Sequence, residues 1–150
     1  MELRDRLASG LKAAMRDKDS RRVGTLRLIN AALKDQDIAL RAEGRTVGDA
    51  EALAILAKMV KQRQESARAY EEAGRLELAE QERSEIAIVE EFLPRKLSDS
   101  EVEAALDAAI TETGAASLRD MGRVMGILKD RHQGQIDFAA VGPMVKARLV

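Results

Sequence analysis

Hydrophobic residues recur every three or four positions along most of the chain, which is the spacing of amphipathic helices. The longest such stretch runs from about Asp49 to Ala73 and contains neither proline nor glycine. Residues at alternating spacings of three and four form its seam: Leu53, Leu56, Val60, Arg63, Ala67 and Tyr70. Because polar side chains occupy the middle of this helix, where leucine would pack more simply, the pattern predicts an unusual polar contact there.

Helical patterns of the same kind lie on both sides of this stretch. They are predicted at about residues 2–17, 23–42, 76–92, 99–113 and 118–133, and from near Pro143 to the end. The second helix should bury Val23, Leu26, Ile29, Ala32 and Leu33 and continue through Ile38 and Leu40. The fourth should bury a broad face of Leu78, Ala79, Ile86, Val89 and Leu93.

Several helix ends carry recognisable capping residues. Thr46 with Asp49 predicts a cap for the long helix, and Gly74 predicts its left-handed end. Ser98 followed by Glu101 predicts a capping box, and Asp137 can cap the final segment.

No alternating strand pattern of useful length is present, so the predicted fold class is all-α. Pro94 stops the fourth helix and marks a division of the chain. We expect an N-terminal four-helix unit with a long central helical hairpin (1–94) and a small three-helix C-terminal domain (95–150). The second domain is short enough that it should lean on the first or on a partner.

The polar seam is predicted to lie inside the hairpin. If the chain turns at Gly74, facing residues have numbers that sum to about 148, which sets Arg63 opposite Glu85 and near Glu82. Such a buried ion pair would mainly specify register. The candidates for this polar seam are Lys58, Lys61, Gln62, Arg63, Ser66, Tyr70, Arg75, Glu82 and Glu85. For Lys58, Lys61, Gln62 and Arg75 hairpin structure is preferred, and the alternative is a polar groove for a partner.

Composition excludes several classes of function. Aromatic residues make up only 2%, too few for stacking platforms that grip single-stranded nucleic acid, and the absence of cysteine excludes disulfides and thiolate zinc sites. No apolar run approaches the length of a membrane span, so we expect a soluble cytoplasmic protein without membrane contact.

Charge is unevenly distributed although the net charge is only −1. Residues 1–34 carry nine Lys and Arg against four acids, and residues 76–93 carry one Arg against six Glu. The preferred interpretation is that these segments lie close together in the fold. The alternative is that the basic segment faces a polyanion.

Sequence motifs for catalysis or cofactor binding are absent. A bundle metal site needs Glu-x-x-His on two helices, but His132 is the single histidine, so no metal or cofactor is predicted. We expect His132 to be a surface residue or to interact with the dipole at the C-terminal end of its helix. No phosphate-binding glycine loop or nucleophile motif is present. Gly122 and Gly126 form a G-x-x-x-G, which indicates close helix packing only weakly outside membranes.

A set of short motifs resembles the YqeY-like family, also called GatB/YqeY domain proteins. These are Lys61-Gln62-Arg63, Gly74-Arg75, Leu93-Pro94 and Asp120-Met121-Gly122, with Ser66, Tyr70, Glu82, Glu85 and Gly126 at matching spacing. The resemblance spans nearly the whole chain and implies two all-helical domains. The family usually has lysine after D-M-G, where this chain has Arg123, which retains the charge.

The resemblance also implies a link with tRNA. The same C-terminal motif forms the tail domain of GatB, a subunit of the tRNA-dependent amidotransferase, and family members carry the label of carbon–nitrogen ligase activity with glutamine as amide donor. We expect a non-catalytic accessory protein that contacts tRNA, another RNA or a tRNA-processing protein. The candidate phosphate contacts are Arg119, Arg123, Lys129, Arg131 and Lys146. The alternative is a protein–protein adaptor that docks through Met121 and Met125.

Overall fold

The computed structural model describes residues 2–150, and every regular element in that range is helical, which confirms the all-α prediction. The helices are α1 (Leu3–Arg16), α2 (Ser20–Arg41), α3 (Asp49–Glu72), α4 (Leu76–Glu90), α5 (Asp99–Thr113), α6 (Met121–His132) and α7 (Phe138–Leu149). A single 3₁₀ turn, Leu118–Asp120, precedes α6. The chain forms two compact units: unit 1 ends at Pro94, and unit 2 is Arg95–Val150.

Unit 1 has a continuous core that is aliphatic except for Phe92. The helices α3 and α4 pack along one another as a hairpin, and α1 and α2 complete the core. The fully buried side chains with the largest volumes are Leu7, Leu26, Ile29, Leu33, Leu56 and Val89. Within residues 2–150 no helix is both long and apolar enough to cross a bilayer.

The oppositely charged segments of unit 1 contact each other, as the preferred interpretation of the sequence predicts. Arg22 on α2 pairs with Glu91 just after α4, with a closest N–O distance of 2.6 Å. Arg21 donates to the hydroxyl of Ser84. The charge asymmetry therefore serves in part to join α2 to α4.

Two apolar residues that the sequence pattern placed in the core of unit 1 are instead exposed. Ile38 on α2 is 52% exposed and Leu78 on α4 is 36% exposed. In α2 the helical period allows two stripes, and Leu26, Ile29, Leu33 and Leu40 define the buried one. Leu78 lies in the first turn of α4, next to the Gly74 turn that closes the hairpin.

Most of the predicted helix ends are present. Gly74 and Gly114 adopt left-handed backbone angles, with φ of 75° and 66°. The capping box of α5 forms between Ser98 and Glu101. The predicted Thr46 cap of α3 is wrong: its N-cap residue is Gly48, which makes no side-chain cap.

Glu101 illustrates how this capping box is held. Its carboxylate accepts two hydrogen bonds from the guanidinium of Arg95 and one from the backbone N–H of Ser98. These bonds, with Arg95 the largest cause, lower the pKa of Glu101 to about 2. Because the folded-state pKa is depressed, this stabilisation is present above the usual carboxyl pKa and is lost as the pH falls toward 2.

The last helix begins earlier than Pro143 predicts. The cap is Asp137, as expected, but α7 starts at Phe138, so Pro143 lies inside the helix. Proline lacks the N–H that would bond the carbonyl of Ala139, which leaves one helical hydrogen bond unmade.

A carboxylate ties the loop after α2 to two other parts of unit 1. Asp37 accepts two hydrogen bonds from Arg4 on α1, at 3.0 and 2.7 Å, and a third from the backbone N–H of Val47 at 2.8 Å. These contacts, first those from Arg4, lower the pKa of Asp37. Val47 is buried in the core, so the loop is anchored immediately before α3 begins.

Unit 2 has its own core, built by α5, α6 and α7. The buried residues are Leu106, Ala109, Val124, Leu128, Ile136, Val141, Val145 and Leu149. Leu97 enters this core from the segment before α5, and its N–H donates to the carbonyl of Gln135.

Candidate functional site

The predicted polar seam separates into two sets. Arg63, Ser66, Tyr70, Glu82 and Glu85 are half-buried in the α3–α4 hairpin. Lys58, Lys61, Gln62 and Arg75 are exposed. The first set fits a structural contact, whereas the second remains accessible to a partner.

Arg63 and Glu85 form the ion pair that the hairpin register predicts. The Nε of Arg63 donates to a Glu85 carboxylate oxygen at 3.2 Å, and the two side chains are only 13% and 18% exposed. Arg63 also donates to the carbonyl of Met59, one turn earlier, at 3.5 Å. The guanidinium is therefore held from both helices of the hairpin.

Glu82 lies one turn from Glu85 on α4, but it makes no ion pair within the described chain. Burial is the main cause that raises its pKa; the Glu85 carboxylate adds to the shift and Arg63 opposes it. One guanidinium thus faces two carboxylates, and it makes an ion pair with only one of them, Glu85.

Replacing Glu82 with glutamine is expected to stabilise unit 1 at pH 7. A carboxyl with a raised folded-state pKa costs stability once it is ionised in the folded protein, and this cost disappears as the pH falls below its usual value. The gain in urea unfolding free energy should therefore shrink between pH 7 and pH 4. The exposed Glu80→Gln on the same helix is the control. A gain that grows on acidification would contradict the expectation.

The five candidate phosphate contacts in unit 2 are not equivalent. Arg123 pairs with Asp120, and Arg131 pairs with Glu112 at 2.6 Å. Within residues 2–150, the other three make no ion pair and are exposed: Arg119, Lys129 and Lys146. They lie on the 3₁₀ turn, α6 and α7, which pack on one another.

The charges of unit 2 are unevenly distributed along the chain, which the sequence analysis did not predict. Residues 95–117 carry two Lys and Arg against five Asp and Glu, while residues 118–150 carry six against three. The acids of α5 engage cations of the other helices, since Glu112 binds Arg131 and Asp107 binds Arg148. A separate count for each helix would have revealed the polarity, although not these pairings.

The two glycines of the G-x-x-x-G motif do not mark a close packing contact within the described chain. Apart from the adjacent residues and the backbone of α6 itself, no atom lies within 4 Å of the position that a Cβ would take at Gly122 or Gly126. Met121 and Met125, which the adaptor alternative requires at the surface, instead pack partly buried against the core of unit 2.

His132 is half-buried at the end of α6, and its Nδ1 lies 3.3 Å from the side-chain oxygen of Gln135. The expectation that it is a surface residue is thus only partly met. Across residues 2–150, no three or more His, Asp or Glu side chains are grouped to bind a metal ion.

A cleft of about 250 Å³ opens in unit 1. It is lined by Leu3, Arg6, Asp49, Leu53, Phe92, Leu93 and Pro94. The guanidinium of Arg6 lies over the Phe92 ring, 5.6 Å from its centroid, and donates to the Glu91 carbonyl. Because this volume is below the range of ordinary ligand pockets and none of the predicted site residues lines it, the cleft does not define an active site.

Comparison with known proteins gives two findings. The family described as Yqey-like protein matches residues 4–149. The chain is also similar to altered inheritance of mitochondria protein 41, mitochondrial, from Lachancea thermotolerans, with 27% identity over 96% of this chain and 77% of that protein.

Proposed function

The chain belongs to the Yqey-like protein family, and on that premise we propose that it is an accessory protein that contacts tRNA or another RNA. The contact surface is formed by basic residues of the 3₁₀ turn, α6 and α7 of unit 2, and the resemblance to the tail domain of GatB supports a role beside tRNA-dependent amide transfer. The catalytic step belongs to other proteins. Units 1 and 2 then act as two domains, residues 1–94 and 95–150.

The observation that carries this proposal is a group of three exposed cations on the 3₁₀ turn, α6 and α7 of unit 2 that make no ion pair within residues 2–150. Arg119, Lys129 and Lys146 are exposed on adjoining elements and have no carboxylate within ion-pair distance in the described chain. Such side chains can bind phosphates without first breaking an internal ion pair. Arg123 and Arg131 must give up Asp120 and Glu112 before they do so, and therefore contribute less.

The two glycines of α6 also favour RNA contact on this part of unit 2. On an ideal helix, Gly122, Gly126 and Lys129 fall on one side, because they are spaced by four and three residues. With open space above both glycines, a polynucleotide backbone can approach the helix closely beside a lysine.

The adaptor alternative through Met121 and Met125 has less support, because both side chains pack against the core of unit 2. The sequence favours a cytoplasmic location, and the name of the Lachancea thermotolerans relative favours a mitochondrial one.

A tRNA titration at low and moderate salt tests the proposal. Arg119→Glu combined with Lys129→Glu should weaken binding at least tenfold. The slope of log K against log salt should fall by about 0.7 to 0.9 for each phosphate that the variant no longer neutralises. Arg131→Ala should have a smaller effect than Lys129→Ala.

The matched control is Lys12→Glu combined with Arg16→Glu, which changes the same charge on exposed positions of α1. If both double variants weaken binding equally, the effect is one of net charge and the unit 2 surface is not the site. If the wild-type chain binds no tRNA or other RNA at low salt, the proposed function is wrong.

A further inference from the structure

The solvent-facing side of α2 carries a second stripe of residues at heptad spacing. Unit 1 does not cover this stripe, because α2 packs on the core with its other side. Gly24, Leu28, Ala31, Asp35 and Ile38 on α2, followed by its C-cap residue Ala42, recur at spacings of four and three, and all six are exposed. Leu28 is 50% exposed and Ile38 is 52% exposed. The stripe extends about 27 Å along the helix axis, at about 1.5 Å per residue.

A row of cations borders this stripe on one edge. Arg27, Lys34 and Arg41 each precede a stripe residue and repeat every seven positions. All three are exposed, and none makes an ion pair within residues 2–150. In coiled-coil terms they occupy g positions, which contact the e or g positions of a facing helix.

From this arrangement we propose that the outward side of α2 is a docking surface for an amphipathic helix of another protein, whose apolar stripe is flanked by glutamate or aspartate. Carboxylates spaced by seven residues on the partner pair with Arg27, Lys34 and Arg41. Large apolar side chains of the partner fill the space above Gly24 and Ala31, where the stripe residues are small.

Charge disfavours a second copy of the chain as the occupant. In a parallel pair the cations would lie beside the e positions Thr25, Ala32 and Ala39; these offer no carboxylate, and Thr25 is buried in unit 1. In an antiparallel pair the cations face one another, which is repulsive.

A membrane surface also fits poorly. Asp35 lies in the middle of the apolar stripe, so insertion would press its carboxylate toward the acyl chains. In a helix pair, by contrast, one polar residue in the seam fixes the register, provided the partner places a polar group opposite it.

The test uses a labelled synthetic peptide of about three heptads, with leucine at every a and d position and glutamate at every e and g position. Glutamates on both edges repel within a peptide dimer and so keep the probe monomeric. The comparison peptide has lysine in place of each glutamate. Binding to the full chain is measured by fluorescence polarisation.

The wild-type chain is expected to bind the acidic peptide at least tenfold more tightly than the basic one. Leu28→Ser combined with Ile38→Ser should weaken this binding at least tenfold. Arg27→Glu, Lys34→Glu and Arg41→Glu together should reverse the preference, so that the basic peptide binds more tightly.

Two control variants alter exposed residues elsewhere in unit 1. Met15→Ser with Leu76→Ser, and Lys58→Glu with Lys61→Glu and Arg68→Glu, should leave peptide binding unchanged. Circular dichroism melts verify that each variant is folded, which exposed substitutions permit.

Four results would overturn the proposal: the wild-type chain binds neither peptide, it binds both equally, the α2 variants bind like the wild type, or the reversed cations do not change the preference.

Two further results would assign the surface to another occupant. If the chain forms a dimer and Leu28→Ser with Ile38→Ser dissociates it, the occupant is a second copy. Loss of binding to anionic vesicles in that same variant would assign it to lipid. Because tRNA is absent, failure here leaves the RNA proposal unaffected.

Discussion

Replacing Arg63 with leucine is expected to destabilise unit 1 by about 3 kcal/mol, the cost of leaving a buried carboxylate without its partner. Glu85 is only 18% exposed and would lose its guanidinium, while Glu82 would lose the single cation that opposes its raised pKa. Urea unfolding followed by circular dichroism measures the change. Arg68→Leu, at an exposed position of the same helix, should shift stability by less than about 0.5 kcal/mol.

A double variant tests whether the Arg63–Glu85 ion pair stabilises unit 1 or mainly fixes the register of the hairpin. If the pair mainly fixes register, Arg63→Leu combined with Glu85→Leu should recover much of the stability lost in the single variant, because neither charge remains buried. A single variant as stable as the wild type would show that water already solvates the pair in the hairpin.

Replacing Leu128 with alanine is expected to unfold unit 2 while unit 1 stays folded. Leu128 is 1% exposed in the core of unit 2, and truncating a buried leucine costs about 2 to 5 kcal/mol. A core this small supplies only about 3 to 5 kcal/mol in total. Hydrogen exchange should therefore lose protection in α5, α6 and α7 but keep it in α2 and α3.

The control for this substitution is Leu118→Ala, since Leu118 lies in the same unit but is 47% exposed. It should leave the exchange pattern of unit 2 unchanged. Loss of protection in both units of Leu128→Ala would mean that they fold as one cooperative body, and the proposal of two separate domains would fail.

Local signals in the sequence predicted local structure well. The capping box of Ser98 and Glu101 and the left-handed Gly74 depend on residues within a few positions of each other, so their chemistry is visible in the sequence. The Arg63 pairing was also predictable, because a turn of known position fixes the register of a hairpin.

Tertiary contacts were harder to predict. Ile38 satisfies a helical period, but it belongs to the stripe beside the buried one, and only the packing of α1 and α4 on α2 decides which stripe is covered. Glu112 binds Arg131 across nineteen positions, a separation over which no sequence spacing applies. The pairing of Asp120 with Arg123 was within reach, because residues three apart on adjoining helical turns are neighbours.

The three hydrogen bonds at Asp37 have a consequence for how the hairpin is oriented. The side chain of Asp37, on α2, binds Arg4 on α1 and the backbone of Val47, so the chain is held in place two residues before α3 begins. The connection from Ala42 to Thr46 consequently does not have to be stiff. The length and composition of this connection can therefore vary without changing the direction in which α3 begins.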